Sequence, residues 1–243
     1  MAKRETPKNC KTSAPALTKA DSLARRKDFL IRAREAAILL ALVVSVFLLY
    51  SNTLDAPFIL DDRPNIEHNP HIRLTRISVE DLWDAGFHGI SAYRPISKIS
   101  FALNYYFHQY DLRGYHLVNI LIHITTGIFF YLFLKSTLSL TSLQAGDRRY
   151  AWVPFLAVLI WLVHPVQTQS VTYIVQRMNS LAAMFYILPL LFFVKARLSK
   201  KRGRKALLFT GCILAGSWAS PPNKLRPPCL CLSFFMNGIF FKI

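Results

Sequence analysis

Long apolar runs are the feature that most constrains how this chain can fold. Basic and polar stretches separate five of them, at about 36–54, 116–134, 150–164, 181–194 and 206–218. An α-helix needs about 20 apolar residues to cross the hydrocarbon core of a bilayer, and a soluble domain would not normally carry several runs near that length. The sequence therefore predicts an all-α, polytopic helical membrane protein with about five transmembrane helices.

The basic residues flank these runs. The formal net charge is +17, and Lys and Arg are concentrated in a tail at 1–34 and in a cluster at 195–205. Lys and Arg favour the cytoplasmic side of a membrane, and counting spans from a cytoplasmic tail also places the cluster in the cytoplasm. We therefore interpret the basicity as a topology signal, and we expect membrane lipids and no nucleic acid as partners.

Three parts of the chain follow from this topology. Residues 1–34 form a basic cytoplasmic tail, helical from Asp21 onward, and residues 35–218 form a transmembrane domain whose large first extracytoplasmic loop covers 55–115. Residues 219–243 are rich in proline and predict no coherent element. A cleaved signal peptide is the alternative for the first run, but its positive region would be unusually long and no clean cleavage site precedes Asp55.

The cysteines predict neither disulfides nor a metal site. There are four of them, and they are scattered: Cys10, Cys212, Cys229 and Cys231. The last two form a lone CxC without a second ligand pair, whereas a structural zinc site requires four ligands.

Two adjacent carboxylates, Asp61 and Asp62, stand out in the first loop. They follow the apolar triplet Phe58-Ile59-Leu60 shortly after the first span. Ionisable groups at the rim of a bilayer are costly to hold there and commonly mark functional sites. Asp-Asp-Arg-Pro is also typical of an ordinary solvated turn, so the pair by itself leaves both interpretations open.

The rest of the loop and the second span carry further signals. Apolar and aromatic residues at near-helical spacing over 79–83 and 96–110 predict short helices along the membrane surface, with a plain soluble loop as the alternative. Asn119 and His123 lie four residues apart, so they share a helical face that turns toward a bundle or cavity. A helix–helix hydrogen bond is the alternative role for this pair. We expect His164-Pro165 to end the third span.

Several strings resemble a known family in order and spacing. They are FILDDRPNIEHNPHIRLT, YRPISKISFALNYYF, GYHLVNILIH and HPVQTQSVTYIVQRMNSLAAMFY. Together they resemble the N-terminal membrane domain of protein O-mannosyltransferase-like proteins that carry tetratricopeptide repeats, within the GT-C class of membrane glycosyltransferases. The resemblance covers about 38–197. Gln169 stands where animal members tend to have an acidic residue, so the chain looks like the bacterial branch, which would place it in a bacterial inner membrane.

The resemblance implies transfer of a sugar, with mannose expected, from a polyprenyl-phosphate donor to a hydroxyl acceptor on a protein or glycan. It places the acidic motif of the active site at Asp61 and Asp62. A carboxylate within hydrogen-bond reach can take the proton of the attacking hydroxyl. We expect Asp61 as the base and Asp62 as its partner, although the order is easily reversed. The second carboxylate could raise the pKa of the first, orient the acceptor or hold a divalent cation.

The leaving phosphate needs cations at the membrane face. Arg94 and Arg177 both fall at far-side boundaries of the predicted topology, and the forked donors of arginine suit phosphate. Snorkelling to lipid headgroups is the alternative for each arginine. His164 could add a donor, although a histidine at a helix end is more often structural. We also assign Asn119, His123 and Gln169 to the cavity.

The C-terminal part departs from the family pattern. Members continue through further spans and then into helical repeats, whereas this sequence changes composition near 218–226. The expectation is that the natural reading frame is lost there, which would leave an N-terminal fragment. The alternative function is then a catalytically inactive membrane anchor or scaffold.

Overall fold

The computed structural model describes residues 19–88, 94–140 and 148–219, and every regular element in these ranges is helical. The predicted all-α class is therefore confirmed. Two compact units are distinguished, Met1–Leu39 and Leu40–Ile243. Cys10, Cys229, Cys231 and the proline-rich tail from residue 220 onward lie outside the described residues.

Eight α-helices are present in the described ranges. They are α1 (Lys19–Tyr50), α2 (Val79–Phe87), α3 (Pro95–His108), α4 (Leu112–Leu138), α5 (Val153–Val163), α6 (Gln167–Thr172), α7 (Arg177–Leu198) and α8 (Arg202–Ala219). The sequence of α1 contains no proline or glycine, which suits a long uninterrupted helix. α5 begins with Pro154 in its first turn and ends before His164-Pro165, as expected.

Three stretches are long and apolar enough to cross a membrane: Arg25–Thr53, Leu112–Leu138 and Ile174–Leu198. These correspond to the first, second and fourth expected spans. The third expected span is a shorter apolar helical stretch, Tyr150–Val163. The fifth expected span lies in α8, whose first turn carries basic residues. The chain is thus a helical membrane protein whose described part contains three helical stretches long and apolar enough to span a bilayer.

The membrane helices of the second unit pack closely. α4 lies against both α5 and α7, and α8 runs along α7, where Phe193 and Phe209 meet at a ring-centroid distance of 6.0 Å. A Cβ atom added to Gly127 in α4 would lie 2.7 Å from Cδ2 of Leu162 in α5. Glycine is therefore the residue that permits the close approach of these two helices.

Residues 54–111, which we call the α1–α4 segment, lie between the first two spans in the sequence and contain several short helices. A π-helical turn at Arg63–Glu67 and a 3-10 turn at Pro70–Ile72 precede α2 and α3. Ser78 caps α2 by accepting a hydrogen bond from the backbone N–H of Asp81 at 3.1 Å. The helices predicted at 79–83 and 96–110 are confirmed as α2 and α3, while their position along the membrane surface stays a prediction.

A common hydrophobic core joins this segment to the membrane helices. Phe58, Ile66, Phe101 and other buried side chains of the segment pack with Tyr115 of α4 and with residues just before and within the start of α7. The ring of Phe58 meets Tyr115 edge to face at 5.4 Å. The segment is therefore anchored beside the beginnings of α4 and α7, which is where the acidic pair lies.

Candidate functional site

The two adjacent carboxylates have opposite environments. Asp62 is buried, with 1% of its surface exposed, whereas the side chain of Asp61 is exposed. A turn explains the difference: the N–H of Asp62 donates to the carbonyl of Ile59 at 2.9 Å, and the N–H of Arg63 donates to that of Leu60 at 3.3 Å. Consecutive side chains in such a turn point in different directions, so one acid faces inward and the other faces outward.

Both carboxylate oxygens of Asp62 are occupied by backbone donors. One accepts the N–H of Ile59 at 3.0 Å, and the other accepts the N–H of Val175 at 2.6 Å. Burial raises the pKa of Asp62 above its ordinary value, although the hydrogen bonds from Ile59 and Val175 act in the opposite direction. Asp62 thus connects its own turn to a chain segment 113 residues later.

Asp61 is held by its backbone and leaves its carboxylate exposed. Its N–H donates to the phenolic oxygen of Tyr173 at 2.9 Å, and its carbonyl accepts from the side chain of Asn65 at 2.8 Å. Burial raises the pKa of Tyr173, so the phenol stays neutral and retains its own proton. An exposed carboxylate on a fixed backbone can accept a proton from a bound hydroxyl.

The residue before Asp61 has an unusual backbone. Leu60 has φ = 42°, in the left-handed region, and is 78% exposed. A residue with a Cβ pays about 1–2 kcal/mol in that region. The turn closed by the Asp62 carboxylate holds Leu60 in this conformation, so part of the folding energy is stored immediately beside the exposed acid.

Arg177, near the beginning of the Ile174–Leu198 span, is buried among protein groups. Its side chain is 0% exposed, and its Nε donates to Oδ1 of Asn119 at 2.7 Å. Its other nitrogens donate to the carbonyl oxygens of Tyr115 at 2.9 Å and Ser100 at 3.2 Å. The guanidinium carbon also lies 4.5 Å from the ring centroid of Phe101, within cation–π range. In this arrangement Arg177 fastens α3 and α4 to α7.

Asn119 and His123 are also buried and bonded to protein groups. The amide of Asn119 donates to the carbonyl oxygens of Val171 and Ile174, each at 3.3 Å. Nε2 of His123 lies 3.1 Å from the carbonyl oxygen of Leu162. Both residues therefore make the interhelical hydrogen bonds that the sequence left open as their alternative role.

Three further predicted residues lie on the surface. Arg94 is exposed and donates through Nη1 to Oδ1 of Asn179 at 2.8 Å. His164 follows α5, and its Nδ1 accepts the N–H of Val166 at 3.2 Å, which leaves Nε2 as the protonated nitrogen of a neutral ring. The side chain of Gln169 in α6 is exposed.

One short stretch, residues 173–179, organises the site. Tyr173 bonds Asp61, Val175 bonds Asp62, Arg177 bonds α3 and α4, and Asn179 bonds Arg94. The 173–179 stretch thus brings the acidic pair and Arg94 to one end of the Ile174–Leu198 span. Within the described part of the chain, neither His164 nor the side chain of Gln169 forms a hydrogen bond with the pair or with Arg94.

Sequence reasoning missed Tyr173, Val175 and Asn179. Val175 acts only through its backbone N–H, which leaves no signal in the sequence. Tyr173 and Asn179 lie within the resembling string that begins at His164, but neither belongs to a charge cluster. The described residues contain no group of three or more His, Cys, Asp or Glu side chains that could hold a metal ion.

The chain is similar to protein O-mannosyl-transferases. It is 33% identical over 183 residues to "Protein O-mannosyl-transferase tmtc2" of Xenopus laevis, an alignment that covers 71% of this chain and 20% of that protein. It is 33% identical over 176 residues to "Protein O-mannosyl-transferase TMTC4" of Homo sapiens, covering 66% of this chain and 23% of that protein. "Protein O-mannosyl-transferase F38B6.6" of Caenorhabditis elegans is 30% identical over 166 residues, covering 65% and 23%.

The chain therefore spans about a fifth of the length of these relatives. No known protein-family model matches the chain. No solved structure matches it.

Proposed function

We propose that this chain is the acid-bearing part of a membrane glycosyltransferase that moves mannose from a polyprenyl-phosphate donor to a hydroxyl group of a protein or glycan acceptor. The observation that carries the proposal is the exposed carboxylate of Asp61 at one end of a membrane span. The 173–179 stretch holds both Asp61, through Tyr173, and Arg94, through Asn179, at that end. The relatives named above, which are protein O-mannosyl-transferases, support mannose as the sugar and a protein as the acceptor.

Asp61 is the proposed general base. As the acceptor oxygen forms a bond to the anomeric carbon, the bond from that carbon to the phosphate oxygen breaks, and the acceptor proton moves to the Asp61 carboxylate. The polyprenyl phosphate leaves with the electron pair of the broken bond. Tyr173 and Asn65 fix the backbone of Asp61, so the carboxylate needs little reorganisation when substrates bind.

Asp62 is proposed as a positioning residue. Both of its oxygens accept backbone N–H groups, so it is poorly available for proton transfer or for binding the acceptor. This arrangement favours the order in which Asp61 is the base. Asp62 keeps the turn beside the 173–179 stretch, and Asp61 depends on that placement.

Arg94 is the proposed partner of the donor phosphate. It is exposed, and its recorded hydrogen bond to Asn179 is made through one nitrogen, so its fork can turn toward a phosphate beside it. His164 could contribute Nε2–H from the end of α5. Arg177, which the sequence placed in the same role, is proposed instead to brace the helices that carry Asp61 and Arg94, because protein acceptors take its Nε, Nη1 and Nη2.

We also propose on which side of the membrane the site lies. The basic flanks support a cytoplasmic N-terminus and an extracytoplasmic α1–α4 segment. The resemblance of the Gln167 and Gln169 pattern to the bacterial branch is the ground for proposing a bacterial inner membrane.

A second candidate function is a membrane anchor without catalysis. It is favoured by the small share of its relatives' length that this chain covers, and by the structural hydrogen bonds that Asp62 and Arg177 make. The two candidates differ in whether any mannose is transferred.

The test is a transfer assay with the full chain reconstituted in lipid vesicles. The donor is polyprenyl-phosphate mannose with a radiolabel in the sugar, and the acceptor is a peptide rich in serine and threonine. We expect label in the peptide, and a loss of about 10²–10⁴-fold in rate for Asp61→Asn. Glu80→Gln, an exposed acid outside the site, is the control and should keep the wild-type rate. A folded wild-type chain that transfers no label would support the anchor instead.

A further inference from the structure

Ile59 and Leu60, which we call the apolar tip, are large apolar residues that the fold leaves exposed. They are 46% and 78% exposed, although Phe58 before them and Asp62 after them are buried. The tip lies next to the exposed carboxylate of Asp61. The backbone at Leu60 is left-handed, with φ = 42°.

Backbone and side-chain bonds fix the tip rigidly. The Asp62 carboxylate accepts the N–H of Ile59. The carbonyl oxygens of Ile59 and Leu60 accept the N–H groups of Asp62 and Arg63. Strain at an exposed leucine persists only where the surroundings hold it in place. A merely solvated turn would be expected to place a glycine or a polar residue at that position.

The position of the tip relative to the membrane follows from three contacts. Arg113 bonds Asp55 at 2.7 Å, and His116 lies 2.9 Å from the carbonyl oxygen of Ala56, both in the first turns of α4. On the other side of the tip, Asp62 bonds Val175 at the beginning of the Ile174–Leu198 span. The tip is therefore tied on both sides to residues at which membrane spans begin.

The location of the tip favours membrane lipid as the environment of its side chains. Leucine and isoleucine beside the end of a spanning helix gain most by leaving water for the edge of the hydrocarbon region. An exposed carboxylate one residue later remains at the level of the headgroups, where water is present. We propose that the apolar tip inserts into the bilayer at the boundary where α4 and α7 begin, and thereby holds Asp61 at headgroup depth.

The insertion gives the site a defined depth. A lipid-linked sugar carries its scissile bond just above the membrane surface, so an acid at headgroup depth can reach it without leaving the bilayer. The insertion itself requires no catalytic activity, and it would hold equally for a membrane anchor. Its failure is therefore distinguishable from failure of the proposed function.

The test measures depth with a fluorophore. The four native cysteines are replaced by alanine, and a single cysteine at Leu60→Cys is labelled with the fluorophore NBD in the full chain reconstituted into phosphatidylcholine and phosphatidylglycerol vesicles. Quenching is compared between aqueous iodide and a phosphatidylcholine that carries a nitroxide high on its acyl chain. Glu80→Cys, also an exposed position, is the matched control, and Ile59→Cys is a second probe in case the label at residue 60 perturbs the turn.

We expect NBD at residues 59 and 60 to be quenched by the lipid nitroxide and to be several-fold less accessible to iodide than NBD at residue 80. Iodide quenching at residues 59 and 60 equal to that at residue 80 would place the tip in water and overturn the proposal. Protection from both quenchers would show that protein, such as a second copy of the chain, covers the tip, and would overturn it as well.

Discussion

At the scale of single residues, two neighbouring acids in this chain have different environments because a turn separates their side chains. Each carboxylate oxygen of Asp62 accepts a backbone N–H group, while the carboxylate of Asp61 is exposed. A buried N–H that loses its acceptor lowers the free energy of unfolding by about 1–3 kcal/mol. Asp62 therefore stabilises the fold, whereas the exposed Asp61 carboxylate does not contribute in this way.

Asp62→Asn should therefore lower the free energy of unfolding by about 1–3 kcal/mol, because an amide offers one acceptor where the carboxylate offers two. Asp61→Asn removes an exposed group and should change it by less than about 0.5 kcal/mol. Thermal or denaturant unfolding of both variants in the same detergent measures the difference. Equal destabilisation of the two variants would contradict the assignment.

A second residue-scale prediction concerns pH. Asp84 lies 2.8 Å from Nδ1 of His71 and 2.9 Å from Nδ1 of His88, and the hydrogen bond to His71 lowers the pKa of Asp84. A carboxyl whose pKa is lower in the folded state stabilises the fold above its unfolded pKa of about 4, and this stabilisation disappears as the pH falls through the folded pKa.

The difference in melting temperature between wild type and Asp84→Asn should therefore be largest above about pH 5 and should shrink at lower pH. Melting curves of both proteins across this range provide the measurement. The control is Glu80→Asn, an exposed acid on the same helix. A difference for Asp84→Asn that stays constant down to about pH 2 would be inconsistent with the lowered pKa.

At the scale of elements, local sequence signals located the helices well. The near-helical spacing of apolar and aromatic residues over 79–83 and 96–110 predicted α2 and α3. His164-Pro165 predicted the end of α5. The burial of Arg177 was not predictable in this way. Its acceptors on Ser100, Tyr115 and Asn119 are distant in sequence, and most are carbonyl groups that every residue possesses.

The contact between α4 and α5 provides an element-scale prediction. Gly127→Ala would bring a Cβ to 2.7 Å from the buried Leu162 side chain, so α4 and α5 must separate or Leu162 must change rotamer. We expect a loss of about 1–3 kcal/mol in the free energy of unfolding. Unfolding in detergent, followed by helical circular dichroism, measures it.

Gly203→Ala in α8 is the matched control. A Cβ there meets no atom within 4 Å, so the substitution should be neutral or stabilising by up to about 1 kcal/mol through helix propensity. A Gly127→Ala variant that gains stability as Gly203→Ala does would show that α4 and α5 are not closely packed at this point.

At the scale of the whole molecule, apolar runs and basic flanks identified a helical membrane protein, and three spans are clear in the described part of the chain. The candidate site was only partly predictable. Sequence and resemblance indicated Asp61, Asp62 and Arg94. The 173–179 stretch that joins them was not predicted, because it contacts them largely through hydrogen bonds to backbone groups. Val175 contributes a backbone N–H, and Tyr173 contributes an acceptor for another backbone N–H. Such contacts arise only once distant segments have packed.

In the proposed mechanism, Asp61 takes the acceptor proton while Asp62 positions Asp61. The most direct measurement is the rate of mannose transfer per folded molecule by Asp61→Asn, with the folded fraction determined by unfolding in the same preparation. We expect Asp61→Asn to stay fully folded and to lose transfer by about 10²-fold or more. Transfer at the wild-type rate by a fully folded Asp61→Asn chain would contradict it.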